Sequence, residues 1–187
     1  MRIIAGLHRG LMLESPADEA IRPTSDRARQ ALFNILEHRF GLGAASPLHE
    51  ARVLDVFCGS GAMGLEALSR GAAQCTFIDN SATAIALAER NARRANELAR
   101  CRFVRRDATK LERAPAPTTL AFLDPPYQDN LAMPTLDALR DGGWLAPRAI
   151  ISVELAARGV FTPAPGFTPL DERGYGRTRI VLLRFTP

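Results

Sequence analysis

The chain has 187 residues, 47% of them hydrophobic, which predicts one folded domain with a sizeable core and argues against disorder. Its formal net charge is +4 at pH 7, and nearly all its basic residues are arginine, with Lys110 the only lysine. This net positive charge permits a polyanionic partner such as a nucleic acid but does not require one.

We expect a cytoplasmic protein, because no stretch resembles a signal peptide and no apolar run approaches the roughly 20 residues that cross a bilayer. Cys58, Cys75 and Cys101 are widely spaced and form no metal-binding pattern. We therefore expect reduced, mostly buried cysteines and no metal site.

Residues 1–46 are predicted to form an N-terminal extension, and residues 47–187 the main domain. Two short apolar segments, 2–5 and 11–13, flank a glycine-containing turn and favour a β-hairpin. Apolar residues then recur at helical spacing over 28–36, which predicts a helix. A glycine- and alanine-rich linker follows and marks the boundary.

The main domain alternates strands with helices. The predicted strands cover 53–57, 75–78, 102–104, 119–123 and 149–155, and the predicted helices cover 62–70, 81–99 and 130–139. Two further strands, 167–172 and 178–185, flank a glycine-containing turn. This order predicts an α/β fold whose seven-stranded, mostly parallel sheet carries helices on both faces.

A glycine-rich loop, "VLDVFCGSGAMG" at residues 53–64, lies between the first predicted strand and helix. Gly59, Gly61 and Gly64 match the pattern G-x-G-x-x-G. Glycines there let the backbone turn sharply and approach a ligand closely. The motif by itself is compatible with NAD, with S-adenosyl-L-methionine, or with a tight turn that binds no ligand.

Three acids accompany this loop. Asp79 ends the second strand, where a carboxylate can bond ribose hydroxyls, and Asp107 follows the third, where it can meet an adenine amino group. Each is also compatible with an ordinary helix cap. Asp55 lies within the first strand, where burial requires a hydrogen bond, either to loop amides or to a ligand amine. With the glycine loop, this order favours an adenosine-type ligand.

Asp124-Pro125-Pro126-Tyr127 follows the fourth strand. The prolines hold the chain extended and lack N–H groups, so the corner offers only acceptors, chiefly the Asp124 carboxylate and the Pro125 carbonyl. Two acceptors suit the NH₂ group of a nucleobase, and Tyr127 can stack on the base. Fixed geometry can then aim the nitrogen lone pair at a sulfonium methyl group. The corner therefore favours amino-methyl transfer, with Asp124 orienting the amine.

The combined motifs resemble a known family. D-P-P-Y after a strand is similar to the signature of Rossmann-like, S-adenosyl-L-methionine-dependent amino-methyltransferases. The segments "RIIAGLHRG", "RPTSDRARQALFNIL", "VLDVFCGSGAMGLEALSRGA" and "DGGWL" resemble the bacterial small-subunit ribosomal RNA (guanine-N2) methyltransferases over nearly the full chain. The resemblance implies a class I methyltransferase fold and methylation of the exocyclic N2 amine of guanine 966 in 16S rRNA. The target base would be flipped out or already exposed.

The resemblance also implies site residues and partners. The cofactor would be bound by Asp55, Phe57, Gly59, Ser60, Gly61, Asp79, Asn80, Asp107 and Ala108. The target guanine would be held by Asp124, Pro125, Pro126 and Tyr127. RNA would be contacted by Arg9, Arg22, Thr24 and Arg27. Apart from the resemblance, Arg177 beside Tyr175 in "RGYGRTRI" could touch RNA, although an ordinary hairpin turn explains these residues equally well. The partner would be 16S rRNA or the assembled small ribosomal subunit. A monomer without a metal is our default expectation and does not come from the resemblance.

The chain departs from the family at two places. Leu11 and Met12 follow Arg9-Gly10 where a further basic residue is frequent, and Asp79 stands where glutamate is frequent. The first departure weakens a phosphate-binding role for the hairpin.

Three alternatives stay open. An adenine-N6 or cytosine-N4 amino-methyltransferase would use nearly the same chemistry, although DNA enzymes of this kind usually carry an added recognition region. An NAD-dependent oxidoreductase could share the architecture, but D-P-P-Y argues against it. A catalytically inactive RNA-binding domain would not need the glycine loop or the acceptor corner.

Overall fold

The computed structural model describes residues 1–15, 26–40, 46–126 and 130–187. The strands, numbered β1 to β7 in chain order, are Arg52–Val56, Gln74–Asp79, Cys101–Arg105, Thr118–Leu123, Leu145–Ala156, Phe167–Tyr175 and Thr178–Phe185. They form one sheet in the order β3-β2-β1-β4-β5-β7-β6. The first five strands run parallel, whereas β7 is antiparallel to both of its neighbours. The predicted α/β class and the mostly parallel seven-stranded sheet are confirmed.

The helices, numbered α1 to α4, are Asp26–Arg39, Ala62–Ser69, Ala82–Arg94 and Ala132–Asp141. The predicted helix 81–99 is too long, because Asn96 adopts a left-handed φ of 57° and a 3₁₀ turn follows at Leu98–Arg100. Ser81 caps α3 by accepting a hydrogen bond from the Ala84 N–H at 3.2 Å.

Predicted boundaries were also wrong where the backbone departs from regular helix or strand geometry. The helix predicted from residue 130 begins at Ala132, because Asn130 has a φ of 49°. Strand β5 starts at Leu145 rather than at 149, and its pairing with β4 shifts register between Thr118 and Leu120. Arg148, with a φ of 67°, lies within that irregular stretch.

The two faces of the sheet carry different helices. Side chains of α1, α2 and α3 pack in one core cluster with Val53 and Phe122, and the Phe33 ring of α1 lies 5.4 Å from that of Phe122. Helix α4 packs on the opposite face with Leu54 and Leu123. Helices therefore cover both faces, as predicted, and α1 of the N-terminal extension shares the core of the main domain.

The predicted N-terminal hairpin is paired by only a few backbone contacts. Ile3 N–H donates to the Leu11 carbonyl at 2.9 Å, and Leu13 N–H donates to the Met1 carbonyl at 2.9 Å, around a single Arg2–Met12 bridge. Residues 41–45 of the predicted linker lie outside the described residues, and the division into extension and domain at residues 46 and 47 stays a prediction. None of the described helices is long and apolar enough to cross a membrane.

Candidate active site

The glycine loop connects β1 to α2 at the carboxyl edge of the sheet, where open α/β sheets place their ligands. Phe57 was predicted as the last residue of β1, but it leaves the strand with a φ of 60°, a strained conformation for an aromatic residue. Gly59 and Gly61 follow with φ values of 52° and 76°. The chain thus turns away from the sheet within a few residues.

Gly59 and Gly64 of the loop have different surroundings. A Cβ atom at Gly59 would meet nothing within 4 Å, so open space lies beside its backbone. A Cβ at Gly64 would instead lie 2.4 Å from the Phe77 ring, because α2 packs closely on β2 there. Gly59 thus leaves room for a ligand, whereas Gly64 allows close packing.

Asp79 joins the end of β2 to the glycine loop. One carboxylate oxygen accepts the Gly59 N–H at 3.1 Å, and the other accepts the Ser81 N–H at 2.9 Å. Asn80 is exposed beside it, and Ser60 is buried within the loop. Asp79 therefore lies beside the open space at Gly59, where the sequence predicts a ribose contact.

Asp107 follows β3 and is exposed. Its carboxylate accepts hydrogen bonds from the Thr109 N–H at 2.9 Å and the Thr109 hydroxyl at 2.8 Å, and these bonds lower the pKa of Asp107. Ala108 beside it is buried. The structure shows a local capping turn, and the adenine contact stays a prediction.

The Asp124 corner follows β4 next to the glycine loop. The Asp124 N–H makes one long contact, 3.4 Å, with the Val56 carbonyl at the end of β1. Pro125 is buried and Pro126 exposed, while Tyr127 lies outside the described residues. Asp124 keeps solvent access, yet desolvation by the surrounding protein, followed by the Glu154 and Asp55 charges, raises its pKa to about 8.

Asp55 lies two residues deeper in the sheet, 3% exposed. Its carboxylate accepts the Gly64 N–H of α2 at 2.9 Å, a backbone amide, which is the first of the two partners that the sequence left open. Desolvation raises the pKa of Asp55 to about 8, and the Asp79 charge adds to the effect. A buried carboxyl group thus connects β1 to the first turn of α2.

The sequence analysis missed Glu154 near the end of β5. It lines one narrow pocket together with Asp55, Asp124, Ser152 and Leu32, the last of these from α1. A usable signal was present, because the apolar run "AIISV" ends in this acid just as "LAFL" ends in Asp124. Three acids, from β1, from the end of β4 and from β5, therefore line one pocket at the corner where the target base was predicted to bind.

Asn91 of α3 was also missed. Its side chain is fully buried and donates hydrogen bonds to the Ser60 carbonyl at 2.9 Å and the Glu14 carbonyl at 3.0 Å. Its Oδ1 accepts the Glu14 N–H at 2.8 Å. The only sequence signal was its place on the apolar face of the helix, beside Leu87 and Ala88. Asn91 thereby fixes the N-terminal segment to the glycine loop.

The structure places three of the predicted RNA-binding residues on exposed positions. Arg9 lies in the hairpin turn, Arg27 on α1, and Arg177 in the turn between β6 and β7. The Arg177 carbonyl accepts the Ala157 N–H at 2.9 Å, so this turn is attached to the carboxyl end of β5. Arg22 and Thr24 lie outside the described residues. The roles of all five stay predictions.

No group of three or more His, Cys, Asp or Glu side chains that could hold a metal ion occurs in the part of the chain that the structure describes. All three cysteines are free, and Cys58 and Cys75 are buried. Burial raises the pKa of all three thiols, that of Cys101 to about 12. The cysteines are therefore poor nucleophiles.

Comparison with known proteins identifies the family. The family model described as "Conserved hypothetical protein 95" matches residues 1–184. The chain belongs to this family. It is similar to "Ribosomal RNA small subunit methyltransferase D" of Escherichia coli K12, with 40% identity over 165 residues, 82% of this chain and 74% of the relative. The protein of that name from Haemophilus influenzae is 32% identical over 180 residues, 94% of this chain and 89% of the relative.

A solved structure agrees with this family assignment. The E. coli structure titled "Putative methyltransferase yhhF" superposes with a TM-score of 0.85 at 34% identity, covering 100% of this chain and 98% of the other. The fold is therefore the Rossmann-like class I methyltransferase fold, and the family resemblance drawn from the sequence motifs is confirmed.

Proposed function

We propose that the chain is an S-adenosyl-L-methionine-dependent methyltransferase that modifies the exocyclic N2 amine of a guanine in 16S rRNA. The observation that carries this proposal is the adjacency of two loops. Strands β1 and β4 pair in parallel, with Val56 opposite Leu123, so the glycine loop and the Asp124 corner leave the sheet side by side.

The glycine loop suits S-adenosyl-L-methionine, which supplies an electrophilic methyl group on a sulfonium. The space beside Gly59 admits the methionine portion close to the backbone, and Asp79 has a carboxylate for the ribose hydroxyls. Buried Ala108 lies after β3, where an adenine ring would pack, with Asp107 as the polar partner. These residues fit an adenosine-containing ligand.

The Asp124 corner holds and orients the reacting amine. The Asp124 carboxylate and the Pro125 carbonyl accept its two N–H bonds, which leaves the nitrogen lone pair free to attack the methyl carbon. A new N–C bond forms while the electron pair of the broken S–C bond stays on sulfur. The nitrogen then carries an extra proton, and Asp124, with a pKa raised to about 8, can accept it.

The proposed substrate is 16S rRNA, free or within the small ribosomal subunit. The names of the two relatives support it. The exposed arginines Arg9, Arg27 and Arg177 would contact the RNA phosphates. The N-terminal extension would cover the RNA and cofactor sites, and the protein would act as a monomer in the cytoplasm.

The decisive test replaces Asp124 by Asn, which keeps the size of the side chain but removes its charge. Protein, methyl-labelled cofactor and 16S rRNA, free or assembled, would be incubated together and the modified nucleoside identified by mass. We expect N2-methylguanosine with the natural protein and at least a hundredfold slower transfer with Asp124→Asn, on the order of one general-base contribution. Calorimetry should show nearly unchanged cofactor binding.

The matched control is Asp141→Asn, since Asp141 is an exposed acid at the end of α4. It should transfer methyl groups at the natural rate. Methylation of adenine or cytosine would contradict the proposed base, and full turnover by Asp124→Asn would contradict the proposed role of the corner.

A further inference from the structure

Glu154 lies beside Asp124 at the carboxyl edge of the sheet. Val153 of β5 is the direct partner of Leu123 of β4, so Glu154 and Asp124 each lie one residue beyond that pair. Glu154 is 8% exposed and lines the same narrow pocket as Asp124. Its charge contributes to the raised pKa of Asp124, second only to desolvation, so the two carboxyl groups interact.

Asp55 is the third acid of this pocket, but its position is different. Asp55 pairs with Phe122, two residues before Asp124, and so lies deeper in the sheet. Its carboxylate already accepts the Gly64 N–H, and only 3% of its surface is exposed. An entering base would therefore meet Asp124 and Glu154 before Asp55.

Two neighbouring carboxylates match one nucleobase edge in particular. In guanine the N2 amine lies next to N1–H, so two adjacent positions both donate hydrogen bonds. In adenine and cytosine the exocyclic amine lies next to a ring nitrogen that accepts. An ionised carboxylate can only accept, so it would bond guanine N1–H but would oppose the ring nitrogen of the other two bases.

We propose that Glu154 accepts the N1–H of the target guanine while Asp124 holds its N2 amine, which makes Glu154 the residue that selects guanine. This inference rests on the proposed function. It extends that function because orientation of an amine by Asp124 and Pro125 would serve adenine or cytosine equally well. Glu154 of β5 thus selects the base, and Asp124 at the end of β4 holds the reacting amine.

The experiment compares two target bases in two proteins. Guanine at the target position of 16S rRNA is replaced by 2-aminopurine, which keeps the amine but carries an acceptor instead of N1–H. The natural protein should prefer guanine by about ten- to a hundredfold in kcat/KM, the range for one hydrogen bond to a charged group. In Glu154→Gln the preference should fall to a few-fold, because the amide can donate to N1 of 2-aminopurine.

Two further variants separate recognition from a structural role. Glu154→Asp keeps the carboxylate, so it should retain the preference for guanine at a reduced rate. Glu50→Gln changes an exposed glutamate before β1, at the opposite edge of the sheet, and should match the natural protein on both bases. Cofactor binding and thermal unfolding of each variant would report whether the fold is intact.

The outcomes distinguish the two proposals. If Glu154→Gln keeps the full preference for guanine, or loses the same factor on both bases, the inference about Glu154 is overturned while guanine methylation stands. If the natural protein methylates the amine of adenine or cytosine in the RNA instead, the proposed function itself fails.

Discussion

Glu66 of α2 attaches the N-terminal hairpin to this helix. We expect that loss of its negative charge lowers the free energy of unfolding by several kcal/mol. The side chain is fully buried. Its two carboxylate oxygens accept the N–H of Ile4 at 2.7 Å, the N–H of Ala5 at 3.1 Å and the Nε–H of Arg70 at 2.8 Å. We consider the replacement Glu66→Gln, which preserves the shape of the side chain.

The magnitude follows from these contacts. Whichever oxygen position the new NH₂ group occupies, it faces at least one backbone N–H donor. Arg70, whose side chain is 3% exposed, loses this counter-charge but keeps its contact with the Glu37 carboxylate at 3.0 Å. Breaking a buried ion pair typically costs about 3–5 kcal/mol. We expect the lower end, about 3 kcal/mol, because glutamine retains one acceptor and Arg70 retains Glu37.

The matched control is Glu89→Gln in α3. Glu89 and Arg93 have the same four-residue spacing as Glu66 and Arg70, but their side chains are 45% and 68% exposed. An exposed pair of this kind contributes about 0.3–0.5 kcal/mol. Urea unfolding of both variants can be followed by fluorescence of Trp144, the single, buried tryptophan. Equal losses of unfolding free energy in the two variants would refute the reasoning.

Two further predictions follow from the site. The value of kcat/KM should rise with pH through a midpoint near 8 and then level off, because only the ionised carboxylate of Asp124 can take up the proton that the amine releases, and desolvation, Glu154 and Asp55 raise its pKa to about 8. A pH–rate profile of methyl transfer measures this. Gly64→Ala should lower the unfolding free energy by about 1–3 kcal/mol in thermal unfolding, because its Cβ would lie 2.4 Å from the Phe77 ring.

Each of these predictions can be contradicted directly. A rate that is constant from about pH 6 to about pH 9, or that falls over this range, would remove Asp124 from the reaction. For the glycine, the comparison is Gly174→Ala, where a Cβ would meet nothing within 4 Å and φ is ordinary. If both alanine variants were equally stable, close packing of α2 on β2 could not be the reason for Gly64.

The sequence was sufficient wherever the structure depends on neighbouring residues. Glycines at 59 and 61 adopt positive φ because they lack a Cβ, and Pro125 and Pro126 end β4 because they lack N–H groups. Ser81 caps α3 through a residue three positions away. The alternation of apolar segments likewise predicted seven strands. Errors were confined to ends, such as Asn96 and Asn130, where a left-handed residue interrupts an otherwise helical pattern.

Only the tertiary structure decided which distant side chains meet. Glu154 reaches Asp124 because β5 pairs with β4, and Glu66 bonds Ile4 across 62 positions of the chain. Asn91 joins Glu14 to the glycine loop across 77 positions. The local preference of a segment for helix or strand does not identify such partners, since they are set by the order of the strands and by which helix covers which face of the sheet. The positions of the glycine loop and of the Asp124 corner could therefore be predicted from sequence, but the acid proposed to select the base could not.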